Sequence, residues 1–295
     1  MKSSEYAKYL LLEGSLHSKL VPPPKDLEWD CPEPIRIEKP NRESKILWSE
    51  KKSKIPRLEH LNQARLRGET LHHFANHELM AIELFAWAIL AFPKVQLELR
   101  KDWLRTLIEE QRHLRLYMKR MGDLGIELGE RPLNYLFWKQ IPWVETELQF
   151  TSLVSLSLEG ANLDFMQIYS RAFAFYGDSE SESVTLQVYC DEIKHVKRGW
   201  LHFSSQVSND MSDWDFFRSQ LVFPFTPRRA KAYNFFPETR REVGCSENFI
   251  SNLGDYSDKY SNQWKQNQLD AILDLPYLND PRNRLKELVK GEGIV

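Results

Sequence analysis

Glu109-Glu110-Gln111-Arg112-His113 and Asp191-Glu192-Ile193-Lys194-His195 are the two stretches whose reading decides the fold. Each holds a glutamate and a histidine three positions apart, Glu110 with His113 and Glu192 with His195. On an α-helix, positions i and i+3 share a face, so each pair can turn both side chains toward one centre. A further carboxylate stands upstream at nearly equal distance: Glu78 is 32 positions before Glu110, and Glu159 is 33 before Glu192. A span of that size makes two antiparallel helical arms of about four turns with a tight loop between them. The chain thus carries two near-copies of one helical hairpin. Their convergence would gather Glu78, Glu110, His113, Glu159, Glu192 and His195. Four carboxylates and two imidazoles are the ligand set of a dinuclear iron or manganese centre in a four-helix bundle.

Charge supports the same reading. That much buried negative charge needs two divalent cations to balance it. Without them, like charges within about 4–6 Å repel or take up protons. Hard carboxylates with imidazole suit iron or manganese and leave positions open for oxygen chemistry. The expected cofactor is a pair of iron ions, with manganese or a mixed pair as the alternative. One Glu-x-x-His on a helix is ordinarily a solvated charged face. Repetition inside apolar helices, each time with an upstream carboxylate, is what sets these two apart.

The rest of the sequence sets bounds. Its 295 residues, 42% hydrophobic, suffice for one large domain with appendages. A net charge of −2 gives no global reason to bind nucleic acid or a membrane. Cys31, Cys190 and Cys245 are far apart and form no Cys-x-x-Cys pair, so reduced thiols in a cytoplasmic protein are expected. The apolar run Tyr9–Leu12 is too short for a signal peptide. No stretch approaches about 18 consecutive apolar residues, so no membrane-spanning helix is expected.

Residues 1–20 read as a short amphipathic helix ended by Pro22-Pro23-Pro24, and residues 22–56 as an extended arm. Four long helices follow. The first covers 58–91 and breaks at Phe92-Pro93. The second covers 96–121 and is capped at Met121-Gly122. The third covers 148–176; the fourth covers 179–206, capped by Ser179 or Ser181. Residues 122–147, with Gly125, Gly129, Pro132 and Pro142, suit a crossover between the second and third helices. The expected fold is therefore all-α: a ferritin-like four-helix bundle over 58–206, with an N-terminal helix and arm (1–57) and a C-terminal extension of short helices and tail (207–295). A monomer or dimer is expected.

Several of these runs resemble the ferritin-like proteins of the DUF455 group. They include His73-Phe74-Ala75-Asn76-His77-Glu78-Leu79, Ala81-Ile82-Glu83-Leu84, Ala91-Phe92-Pro93 and Glu109 to Tyr117. Glu159-Gly160-Ala161-Asn162-Leu163-Asp164-Phe165 and Asp191 to Val196 belong with them, as do the flanks Lys19-Leu20-Val21-Pro22-Pro23 and Pro227-Arg228-Arg229-Ala230-Lys231. The wider likeness to di-iron carboxylate proteins implies Glu110 and Glu192 as bridging ligands. It implies Glu78 and Glu159 as terminal or bridging ones, and His113 and His195 as the nitrogen ligands. It also implies that Asp191 orients His113 and Glu109 orients His195, each accepting from the far ring nitrogen. Relatives carry aspartate where Glu109 stands.

Glu83 and Asp164 each follow an upstream carboxylate by five residues, about 140° around the helix. That angle favours buried hydrogen-bond partners over ligands, although a shifted first helix would put Glu83 in the place of Glu78. His72, His73 and His77 read as polar residues at a helix start, with an extra ligand or proton relay as the alternative. Arg228, Arg229, Lys231, Arg240 and Arg241 are interleaved with Tyr233, Phe235 and Phe236, a mixture able to bind RNA.

The leading functional expectation is a dinuclear iron oxidoreductase. It would activate dioxygen to hydroxylate or oxidise a small-molecule substrate, using an external electron donor; a tRNA hydroxylase is its macromolecular version. The alternatives are a ferroxidase or peroxide scavenger, and a non-enzymatic metal-binding or scaffold protein.

Overall fold

The computed structural model describes residues 1–51, 54–258, 270–273 and 280–291. Regular structure among them is all-helical, and two isolated bridges, Lys2 with Glu28 and Trp48 with Leu133, are their only β-type pairings. The chain divides into two compact units. The first is Met1–Pro56 with Gln63–Glu147; the second is Arg57–Asn62 with the described part of Leu148–Val295.

The first unit is built on a hairpin of α3 (Ala64–Ala91) and α4 (Leu97–Asp123). Alanines and leucines give α3 strong helix propensity, and Phe92-Pro93 ends it because proline cannot continue the hydrogen-bond ladder. Nearly every α3 side chain from Leu79 to Ala91 is buried. By length and composition alone, α3 is long and apolar enough to cross a membrane; 94% of that window is buried inside the protein itself. The helix α4 is one-sided. It buries Leu99, Trp103, Leu107, Glu110, Leu114, Tyr117 and Met121, and exposes Arg105, Arg112, Arg115 and Lys119.

Two short helices, α1 (Ser3–Leu12) and α2 (Leu16–Leu20), stand where one was expected. The break falls at Glu13-Gly14-Ser15, and Ser15 Oγ caps α2 by accepting the Ser18 N–H at 3.1 Å. The arm up to Pro56 lies on this unit: the Ile35 N–H donates to Leu90 O at 3.0 Å and the Asn41 N–H to Leu11 O at 2.8 Å. The first long helix starts at Ala64 rather than 58, because Leu58–His60 form a separate 3-10 turn. The second ends at Asp123, two residues past the expected 121. Gly125, at φ +75°, takes the left-handed position, and the Ile126 N–H closes on Met121 O.

The second unit is built on a hairpin of α6 (Glu159–Phe175) and α7 (Ser179–Ser204). The helix expected over 148–176 is not uniform. It opens as α5 (Glu147–Phe150), widens into a π-helix over Thr151–Leu158, and returns to α geometry at Glu159. Ser157 Oγ donates to Ser152 O, five residues back, at 2.7 Å. The cap of α7 is Asp178, whose Oδ1 accepts the Ser181 N–H at 2.9 Å, in place of the expected Ser179 or Ser181. Short helices α8 (Asp213–Gln220), α9 (Pro237–Val243), α10 (Glu247–Asp255), α11 (Asp270–Leu273) and α12 (Pro281–Gly291) complete this unit. The rest of the expected tail, 259–269, 274–279 and 292–295, lies outside the described residues.

Gly199 on α7 sets the closest approach in the second hairpin. A Cβ there would sit 2.4 Å from the Cβ of Ser155 on the π-helix. Gly199→Ala is expected to lower stability by about 1–3 kcal/mol, the usual cost of overpacking. Gly122→Ala, where nothing lies within 4 Å of the added carbon, should instead gain about 0.5–1 kcal/mol from helix propensity. Urea unfolding of the two variants side by side checks the pair.

Candidate metal centre

Each hairpin carries its own buried cluster of metal-binding side chains. In the first unit, α3 supplies Glu78 and α4 supplies Glu110 and His113. One donor atom from each lies within 4.8 Å of the other two, and the residues are 3%, 0% and 0% exposed. In the second, α6 supplies Glu159 and α7 supplies Glu192 and His195, again within 4.8 Å and at most 4% exposed. The repeat extends to single atoms. His113 Nδ1 lies 3.1 Å from Glu110 Oε2, and His195 Nδ1 lies 3.2 Å from Glu192 Oε2 and 3.8 Å from Glu159 Oε2. In both, the near ring nitrogen faces the carboxylates, which leaves the far nitrogen on the opposite edge of the ring. Two carboxylates and an imidazole, buried this closely, have the composition and spacing to hold a metal ion.

The π-helix bears directly on one of these ligands. Glu159 is the first residue after it. Its wider turns shift the register of everything that follows, so α6 aims Glu159 differently from an unbroken α-helix.

The other residues singled out in the sequence have different employment. Glu83, fully buried, is not in the first cluster. Its carboxylate accepts Arg42 Nε at 3.0 Å and Nη2 at 2.7 Å, with Lys19 Nζ at 3.5 Å. Asp164, also fully buried, accepts both arms of Arg240 and the N–H groups of Ala232 and Phe236, each at 3.0 Å. Both acids therefore hold terminal segments. Asp191 is 2% exposed and accepts Lys194 Nζ at 2.8 Å and Gln187 Nε2 at 3.3 Å, while Glu109 is half-buried. His72 Nε2 accepts the Gly129 N–H at 3.0 Å, and burial pushes its pKa down to about 4, so the ring is neutral in that role. His73 and His77 pack edge to face at 4.5 Å, with Phe137 4.8 Å beyond, and join neither cluster. Burial lowers both of their pKa values.

Sequence reasoning gave Asn162 no role. Its Nδ2 donates to Glu192 Oε1 at 2.9 Å. The available signal was spacing, since Asn162 stands three residues after Glu159 and shares its face. The matching position after Glu78 is Ala81, so this contact belongs to one half alone. Asn162→Ala is expected to weaken metal binding about tenfold, as removal of an outer hydrogen bond to a ligand commonly does, with Ala81→Ser near neutral. Calorimetric titration with Co(II) reads both.

No curated protein and no solved structure matches this chain. A family model does match, over residues 6–251, which takes in both clusters and most of both terminal segments. On that match the chain belongs to the family described as "Protein of unknown function (DUF455)".

Proposed function

We propose that the two hairpins pair as a ferritin-like four-helix bundle and that their clusters merge into one dinuclear iron centre. The protein would then be an oxidoreductase that activates dioxygen to hydroxylate or oxidise a small organic molecule. One observation carries this: two buried Glu/Glu/His clusters that repeat each other down to the Nδ1-to-Oε2 contact. Both clusters set buried acid beside buried acid, which a cation resolves. When bound, iron would supply the electrons and open coordination positions that oxygen chemistry needs.

The chain's own groups would do the rest. Glu110 and Glu192 would bridge, Glu78 and Glu159 would complete each side, and His113 and His195 would bind through Nδ1. Asp191 and Glu109 would accept from the far nitrogens and fix ring orientation. The apolar packing of α3 and α6 would keep bulk water out. Reducing equivalents would come from a separate electron donor.

A small substrate fits better than RNA. Of the basic residues near Tyr233, Arg240 is spent on Asp164, Lys231 on Gly254 O, and Arg241 on Glu247. The test is anaerobic loading with Fe(II), then exposure to oxygen. We expect about two irons per chain and iron-dependent oxygen consumption. A chain that binds no metal, or binds it and consumes no oxygen, refutes the reading. Oxygen consumed only to deposit ferric mineral would move the assignment to iron handling.

A further inference from the structure

The two terminal segments end on the ligand helices in matching ways. Five residues after its first cluster carboxylate, each hairpin buries an acid, Glu83 after Glu78 and Asp164 after Glu159. Each acid is gripped by two arms of an arginine from a terminal segment, Arg42 and Arg240. Each arginine lies against an aromatic ring of its own segment, Trp48 at 4.7 Å and Phe235 at 4.6 Å. Each also donates to a carbonyl of that segment, Ile46 O at 3.4 Å and Ala230 O at 3.1 Å.

We infer that these arginines are positioning residues for the metal ligands, Arg240 for Glu159 and Arg42 for Glu78. The inference rests on the metal-binding reading above. Arg240 grips α6 at two places. Its Nη2 donates to Gly160 O at 2.8 Å, the carbonyl next to Glu159, and also reaches Asp164 one turn later. A rigid planar guanidinium fixed at two points one turn apart sets the rotation of α6 about its axis. That rotation matters here because Glu159 begins α6 straight after the π-helix, where the register has just changed. Asp164 is itself seated by the N–H groups of Ala232 and Phe236, so the grip is anchored at both ends. The terminal segments are thus braces that aim ligands.

Arg240→Lys tests this. Lysine keeps a charge beside Asp164 but cannot span the carboxylate and Gly160 O together. The probe is Co(II), added to the full chain under anaerobic conditions and followed by visible absorption, with thermal unfolding measured in parallel. We expect Co(II) affinity to fall about tenfold and the absorption bands to shift while the protein stays folded. A brace with only a structural role would lower the melting temperature and leave the bands alone. If the lysine variant does not fold, Arg240→Met with Asp164→Leu removes both buried charges at once and carries the same comparison. A folded variant with wild-type affinity and bands overturns the inference alone. Wild-type protein that takes up neither Co(II) nor Fe(II) overturns the metal reading, and the inference with it.

Discussion

Glu110→Gln and Glu192→Gln are each expected to abolish tight metal binding while leaving the metal-free protein at least as stable as wild type. The first effect follows from position. Each residue is fully buried, each stands against its own histidine, and each supplies a donor to its cluster. The second follows from electrostatics. Glutamine keeps the shape and removes one of the negative charges held within 4.8 Å, so repulsion falls in the metal-free state. Wild type should gain stability on metal addition, about 2.7 kcal/mol when the free ion is at a hundred times its dissociation constant. The glutamine variants should gain almost none. Thermal unfolding with and without Fe(II) or Mn(II), each after chelation, separates the two states. A non-enzymatic scaffold that uses these acids as a buried polar core gives the reverse pattern. There, each substitution lowers stability by about 1–3 kcal/mol through lost hydrogen bonds, and metal does nothing to wild type.

What the sequence disclosed about the hairpins came from local rules. The i to i+3 spacing of Glu110 with His113, and of Glu192 with His195, is a property of the helix alone, so it could be read without the fold. The five-residue offset of Glu83 and Asp164 worked similarly: about 140° of rotation points them away from the clusters. What covers them could not be read, because Arg42 and Arg240 are 41 and 76 residues away along the chain. Non-local pairs leave no periodic trace. The π-helix was hidden for another reason. Thr151–Leu158 mixes hydroxyl and aliphatic residues that suit any buried helix, and the wider turn depends on packing that a propensity cannot show. The caps failed by small margins. Asp178 caps α7 one position before Ser179 and three before Ser181, and Gly125 rather than Gly122 takes the left-handed position after α4.

Glu83→Ala is expected to cost about 3–5 kcal/mol, the typical penalty for removing one partner of a buried ion pair. Two cations depend on this carboxylate. Arg42 and Lys19 have side chains 1% and 0% exposed. Burial already lowers the Lys19 pKa against the opposing pull of Glu83, so without that carboxylate the ammonium is driven further toward its neutral form. The arginine has no such escape and must take its charge back to water. It can do so only by lifting the arm that carries it. The variant should therefore also become sensitive to protease within residues 21–56, at concentrations that leave wild type intact. Glu83→Leu with Arg42→Met and Lys19→Met should recover most of the loss, since apolar groups of similar volume can replace a buried charge cluster at little cost. Unlike the substitutions at Glu110 and Glu192, Glu83→Ala should destabilise the chelated protein, because Glu83 holds the arm whether or not a metal is bound. A loss confined to the metal-loaded state would instead place Glu83 among the ligands and displace Glu78 from the first cluster.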